Sequence, residues 1–342
     1  MRVSVRTALV ALISLLLIAL FLRNTDLAQV WTETQRSRWD LIALSLGAIV
    51  FTYVFRAVRW RYLLLPLGPV RLRTVFRTTV IGFGASALLP ARAGEVLRPY
   101  LLARQEGLSA TAAFATILLE RVLDTVMVLL LFGVFLLFAD TQIGGADPES
   151  YARLKMGGLI VGAASIVALA GMFVLAGRPA ILSRLERVLG ERLPPRIATR
   201  TMRLVHAFAD GLRIVRQPAR LAAAVALSLP VWLSIAVSIW AVTRAFHIDL
   251  PFLGSFLMMA LLVIGVAVPT PGAVGGFHYF YRLGAVSFFG ASSDRAVGAA
   301  IVLHAVSFVP VAIAGLILLA QDGLSLTGVE RLARTRSAGE AT

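Results

Sequence analysis

The chain has 342 residues, of which 58% are hydrophobic and only 15% charged, whereas a soluble domain is nearer half apolar and a quarter charged. That balance excludes a soluble enzyme, a disordered tail and a fibrous repeat, and points to an integral membrane protein. The net charge is +15, from 33 Lys+Arg against 18 Asp+Glu, and its meaning depends on where the arginines sit, since Lys155 is the sole lysine.

A transmembrane helix needs about 20 predominantly apolar residues. Stretches near that length lie at 7–22, 40–58, 110–139, 156–176, 219–243 and 296–320. The first follows Arg2 and Arg6, as in a signal peptide, but Phe21-Leu22-Arg23-Asn24 offers no small-residue cleavage site, so an uncleaved span is expected. Two further apolar stretches are interrupted. Residues 74–91 break at Pro90 and Arg92-Ala93-Gly94-Glu95, and residues 252–268 break at Pro269-Thr270-Pro271-Gly272-Ala273-Val274-Gly275-Gly276. Proline removes a helix hydrogen bond and glycine loosens the backbone. Non-helical backbone at membrane depth is tolerated only inside protein or beside water. The expected fold is therefore all-α, a polytopic bundle of six to eight spans with two interrupted or re-entrant segments. Structural kinks are the plainer alternative for either break alone.

The arginines give the expected sides, because cytoplasmic loops are enriched in Lys and Arg. If both interrupted segments turn back, the N-terminus, 56–77, 92–106, 178–220 and the C-terminus are cytoplasmic and hold 24 of the 33 basic residues. Three spans then separate the two breaks, which places the breaks on opposite sides. Residues 40–139 and 219–320 become candidate inverted halves, the pattern that points to a transporter site. The expected organisation is one membrane domain over 1–322, with a short flexible tail at 323–342. The arginine-rich segment 178–220, with apolar residues between its charges, reads as an amphipathic helix on an anionic leaflet. Nucleic acid is not expected as a partner, since no binding module is present.

Several residues could carry chemistry. At the first break, Glu95 and Arg98 share a helix face at i, i+3. A half-helix opening near Gly94 aims its N–H groups at the break, and Arg92 and Arg98 suit a phosphate. Headgroup anchoring by snorkelling is the bland alternative. In the span 110–139, Glu120 and Asp124 lie at i, i+4 and Arg121 reaches Asp124 at i, i+3. Intramembrane charges of this kind usually pair and face a cavity, although a structural salt bridge explains Arg121–Asp124 equally. After the second break, His278 and Arg282 lie at i, i+4 on the helix opening at Gly276, while His304 reads as structural. Pro90, Gly94, Pro269, Pro271, Gly272, Gly275 and Gly276 are the expected hinge or gate positions. The sequence has no cysteine, which removes thiolate sites. His206, His247, His278 and His304 form no zinc motif, so neither metal nor cofactor is expected.

The run PARAGEVLRPYLLARQEGLS, followed by ATILLERVLD, resembles the first signature of the lysylphosphatidylglycerol synthase transmembrane-domain family, also called the flippase-like domain family. PTPGAVGGFHYFYRLG and the last apolar span resemble its second. The chain departs from the family pattern at Ser86, often Asn, and at His278, often an acid. The resemblance implies a protein of the plasma (bacterial inner) membrane, with both termini cytoplasmic. It implies translocation of a phospholipid or lipid-linked headgroup between leaflets. The expected partners are anionic phospholipid or polyprenyl-linked substrates, with a homo-oligomer or a membrane synthase as protein partners. Only 22 residues follow Ala320, too few for an aminoacyl transferase domain, so aminoacyl transfer is not expected. The alternatives are an intramembrane glycosyl or phosphoryl transferase using Glu95, Glu120 and Asp124, and a non-catalytic partner of a lipid or glycan synthase.

Overall fold

A computed structural model describes residues 26–89, 93–138, 195–268 and 270–322, with scattered positions between 156 and 187. The expected spans 7–22 and 156–176, the loop 140–155, most of 178–194 and the tail 323–342 lie outside the described residues, as do Pro90, Arg92 and Pro269.

The described residues form ten α-helices. Helix α1 (Leu27–Gln35) is capped by Asp26, whose carboxylate accepts from the Ala28 and Gln29 N–H groups. Helix α2 spans Trp39–Leu64, α3 Leu72–Leu88, α4 Gly94–Glu106 and α5 Ala110–Phe138. Then come α6 (Pro195–Gly211), α7 (Pro218–Ala245), α8 (Gly254–Ala267), α9 (Gly276–Phe289) and α10 (Ser293–Gln321). Four of these, α2, α5, α7 and α10, are long and apolar enough to cross a membrane. Their outward faces are apolar, with Val50, Phe51 and Val54 on α2 and Val309, Ile313 and Ile317 on α10 exposed. A large exposed apolar surface marks contact with lipid or a partner rather than water.

Each break folds as a hairpin of two short helices. In the first, α3 packs on α4 and the backbones touch where Gly82 faces Gly94. A methyl group on Gly94 would collide with the Gly82 carbonyl. In the second, α8 packs on α9 and Gly265 faces Gly276 with the same lack of room. Small residues at such crossings allow the close backbone packing that holds helices together in lipid. The second arm of each hairpin ends alike. Gly107 (φ 70) follows α4 and Gly290 (φ 61) follows α9, left-handed caps that suit glycine. Two residues on, Ser109 and Ser292 stand just before α5 and α10, and Ser109 Oγ accepts from the Ala112 N–H at 3.3 Å.

The hairpins interlock with the long helices. The first arm α3 packs on α10, and the first arm α8 packs on α5. Helices α2 and α7 run side by side, joined by hydroxyls at seven-residue steps on α2. Ser45 meets Ser238 at 2.7 Å and Thr52 meets Ser234 at 2.8 Å. The third rung is Arg59, whose Nη1 donates to Ser228 Oγ at 2.9 Å. Because the α7 numbers fall as the α2 numbers rise, the two helices are antiparallel. The largest buried apolar cluster joins α5, α7, α8, α9 and α10, and a second joins α2 and α5 to the turn after α6.

Two sequence expectations are extended or corrected. Within the segment 178–220, helix α6 packs on α5, with Met202 and Ala209 buried and Arg203 exposed. Arg56 and Arg59, counted with the cytoplasmic loop 56–77, lie inside α2, which runs on to Leu64. Both are buried. Their charge is tolerated there because carboxylates on α5 face them, so they belong to the interior and not to a loop.

Candidate functional site

Beside the first hairpin, α2, α4, α5 and α7 converge on two carboxylates, Glu120 and Asp124. One helical turn separates them, so both point from the same face of α5. Arg59 Nη1 donates to Asp124 Oδ1 at 2.7 Å. The Trp232 indole N–H donates to the same oxygen at 3.0 Å. Arg98 Nη1 donates to Glu120 Oε1 at 3.0 Å, and Arg121 Nη2 donates to it at 2.7 Å. Arg121 Nη2 also lies 3.2 Å from Asp124 Oδ2. Arg56 stands further off, 3.9 Å from Glu120 and 3.7 Å from Asp124. Four guanidiniums therefore surround two carboxylates.

The cluster is enclosed. The side chains of Arg59 and Glu120 are 0% exposed and that of Arg98 is 3% exposed. Its mouth is the pair Arg121 and Glu95, 31% and 34% exposed and 4.0 Å apart. Aromatic rings line the rest. The Arg98 guanidinium lies 3.8 Å from the Trp60 ring centre, a cation–π contact. Phe83 of α3 has Arg56 at 4.8 Å, Arg98 at 5.6 Å and Arg121 at 6.0 Å from its centre.

Many buried polar atoms here have no hydrogen-bond partner among the described residues. They are Arg56 Nη1, Arg59 Nε and Nη2, Arg98 Nε and Nη2, Arg121 Nε, Glu120 Oε2 and Asp124 Oδ2. Leaving such groups unmade costs about 1–3 kcal/mol each. Six of the eight are donors, so the arrangement is matched to an acceptor-rich group.

The second hairpin carries different chemistry. The Gly275 N–H donates to His278 Nδ1 at 3.4 Å, across the start of α9. His304 of α10 lies with its ring centre 4.6 Å from that of His278. Its Nε2 donates to the Gly272 carbonyl at 2.8 Å. The tips of the two hairpins meet, since a methyl group on Gly272 would lie 3.2 Å from the Ala87 carbonyl oxygen.

A family model described as the lysylphosphatidylglycerol synthase transmembrane region matches residues 7–315. The chain belongs to this family. It is therefore an integral membrane protein of the lysylphosphatidylglycerol synthase transmembrane family, and its apolar helices agree with that. No curated protein matches the sequence.

Of the residues the sequence singles out, Glu95, Arg98, Glu120, Arg121 and Asp124 come together in one cluster of this family member. Gly94 and Gly276 open the second arms of the hairpins, while Pro271, Gly272 and Gly275 shape the second tip. His278 lies at that tip. Arg282 stands elsewhere, lining a shallow hollow with Tyr279, Leu283, Val286 and Ser287. Sequence reasoning misses Arg56, Arg59 and Trp232 in the cluster; His304, read there as structural, stands at the second tip and holds the Gly272 carbonyl. The available signal was the seven-residue spacing of Ser45, Thr52 and Arg59, which puts an arginine in line with two hydroxyls on one face of α2.

Proposed function

We propose that this protein moves the headgroup of a phospholipid or lipid-linked substrate between leaflets, with the arginine cluster as the phosphate-receiving site. The observation that carries the reading is the buried excess of arginine, four guanidiniums against Glu120 and Asp124 with unpartnered donors between them. Arginine binds phosphate through two parallel hydrogen bonds, and it does so best where water is excluded. The interlocked hairpins support the reading. Each first arm packs on the long helix that closes the other candidate half, 40–139 or 219–320. In such inverted halves a site near the repeat interface is reached from either side by rocking one half against the other. Arg98 and Arg121, with Arg92 beyond the described residues, receive the headgroup from the cytoplasmic face. The second tip, with Gly272, Gly275 and His278, is the opposing gate. In this scheme the protein sits in the plasma (bacterial inner) membrane with both termini cytoplasmic. The hairpins re-enter from opposite faces.

The transferase reading has less support. Glu120 Oε1 and Asp124 Oδ1 accept from arginine, and four guanidiniums gathered around the two carboxylates disfavour a metal cation there.

Leaflet exchange in liposomes tests the proposal. Folded protein should accelerate exchange of at least one phospholipid or polyprenyl phosphate, and Arg98→Gln should abolish the acceleration. Unchanged exchange across all of them, with protein shown to be folded, would overturn it.

A further inference from the structure

We infer that helix α6 is an interfacial anchor, a surface built to lie on an anionic lipid leaflet beside the ends of the spans. The inference does not depend on translocation. It adds a lipid contact outside the arginine cluster, on an element that the proposed transport scheme does not use.

The fixings of α6 give its place. A methyl group on Gly211 would collide with the Ala112 carbonyl, so the C-terminal end of α6 rests on the first turn of α5. The single turn Leu65–Leu67, which follows α2, also packs on α6. The membrane-crossing candidates run Trp39–Leu67 and Ala110–Phe138. Leu67 and Ala110 are thus ends of two spans, and α6 is fixed where those spans leave the membrane.

The helix has three sides. Residues seven apart are nearly two turns apart and share a face. Met202 and Ala209 form the buried side. Ile197 and Leu204 form a second side and are 52% and 49% exposed. Phe208, on the same side, is half-buried. Arg203, His206 and Asp210 form the third, where Arg203 and His206 are exposed. A helix facing only water gains nothing from aligning exposed aliphatic side chains. A helix within hydrocarbon does not tolerate an arginine and an aspartate on an outer face. An interface satisfies both, with one side on protein, one on acyl chains and one in water.

Charge selects the kind of leaflet. Residues 195–220 hold six arginines and one acid. That acid, Asp210, pairs with Arg213 at 2.8 Å. Arg203, Arg213 and Arg220 are exposed. Basic residues beside an anionic surface each add attraction, and salt screens it. A zwitterionic leaflet offers no such field, so the arginine excess is matched to anionic headgroups.

Fluorescence quenching of the full chain in nanodiscs tests this, and the absence of cysteine permits single labels. A dye is attached through Leu204→Cys or, in a separate protein, through His206→Cys. Three quenchers report its surroundings: one carried on phosphatidylglycerol, the same one carried on phosphatidylcholine, and iodide in the water. The dye at position 204 should be quenched by lipid and little by iodide, and the dye at position 206 the reverse. In discs of both lipids, the quencher on phosphatidylglycerol should act at position 204 at least about twofold more strongly than the one on phosphatidylcholine. About 1 M salt should remove that difference, and Arg203→Gln should reduce it. Equal quenching by iodide at both positions would overturn the membrane contact. A dye at position 204 shielded from lipid and water alike would show that protein covers this side, and would overturn it too. Equal action of the two lipid quenchers at low salt would overturn the selection of an anionic leaflet.

Discussion

Arg59 of α2 donates to Asp124 of α5 over 2.7 Å, with side chains 0% and 8% exposed. The same guanidinium donates to Ser228 of α7. One side chain thus joins three long helices in their interior, as a charge made tolerable chiefly by Asp124 and also by Glu120, 3.3 Å from its Nη2.

Asp124→Asn should therefore be strongly destabilising. Removing one partner of a buried ion pair leaves an uncompensated charge and costs about 3–5 kcal/mol. Thermal unfolding in detergent should show the loss. Adding Arg59→Gln to Asp124→Asn should recover part of it, because both charges are then gone. A double variant less stable than either single would show that the pair is not the source.

The hairpins make a steric prediction. Gly94→Ala and Gly276→Ala each place a methyl group against backbone of the facing arm, at Gly82 and at Gly265. Backbone yields poorly, so both variants should lose folded protein. Gly133→Ala, where nothing among the described residues lies within 4 Å, should be neutral or slightly stabilising as a helix substitution. Yield and monodispersity after solubilisation separate the three.

The two tips should be close enough to cross-link. The chain has no cysteine, so Ala87→Cys with Gly272→Cys gives a clean pair. A short bifunctional thiol reagent should join them, and His304→Ala should slow the joining. That variant removes the hydrogen bond holding the Gly272 carbonyl, worth about 1 kcal/mol. No cross-link in folded protein would mean that the tips stand apart.

The base of the first hairpin should be acid-sensitive. Burial raises the Glu106 carboxyl, but the Thr74 hydroxyl and Arg71 outweigh it and hold the carboxyl below its usual value. Arg71 Nε donates to it at 3.0 Å. A carboxyl lowered in the folded state contributes stability above its unfolded value, about pH 4.3, and loses it as pH falls through the folded value. Glu106→Gln should flatten the melting-temperature profile over that acid window and leave the profile near neutral pH nearly parallel to the parent's.

Much of this arrangement is legible in the sequence. Gly94 in the first glycine and proline cluster, and Pro271–Gly276 in the second, stand where the hairpins turn into their second arms. The i, i+3 and i, i+4 spacings of Glu120, Arg121 and Asp124 mark the acidic face of α5. What is not legible follows from distance along the chain. Arg56 and Arg59 lie near the end of an apolar run, where a charge count assigns them to a loop. Their partners are some 60 residues away, beyond any local period. His304 reads as an ordinary buried histidine because Gly272, which accepts its hydrogen bond, sits on another helix hairpin. Helical spacing shows which residues share a face, but only packing shows which faces meet.

The most direct measurement is leaflet exchange of fluorescent phosphatidylglycerol in liposomes holding the parent protein or Arg98→Gln. The parent should equilibrate the lipid across the bilayer, while folded Arg98→Gln should match protein-free vesicles. Exchange by the variant as fast as by the parent would contradict the assignment of the arginine cluster as the headgroup site.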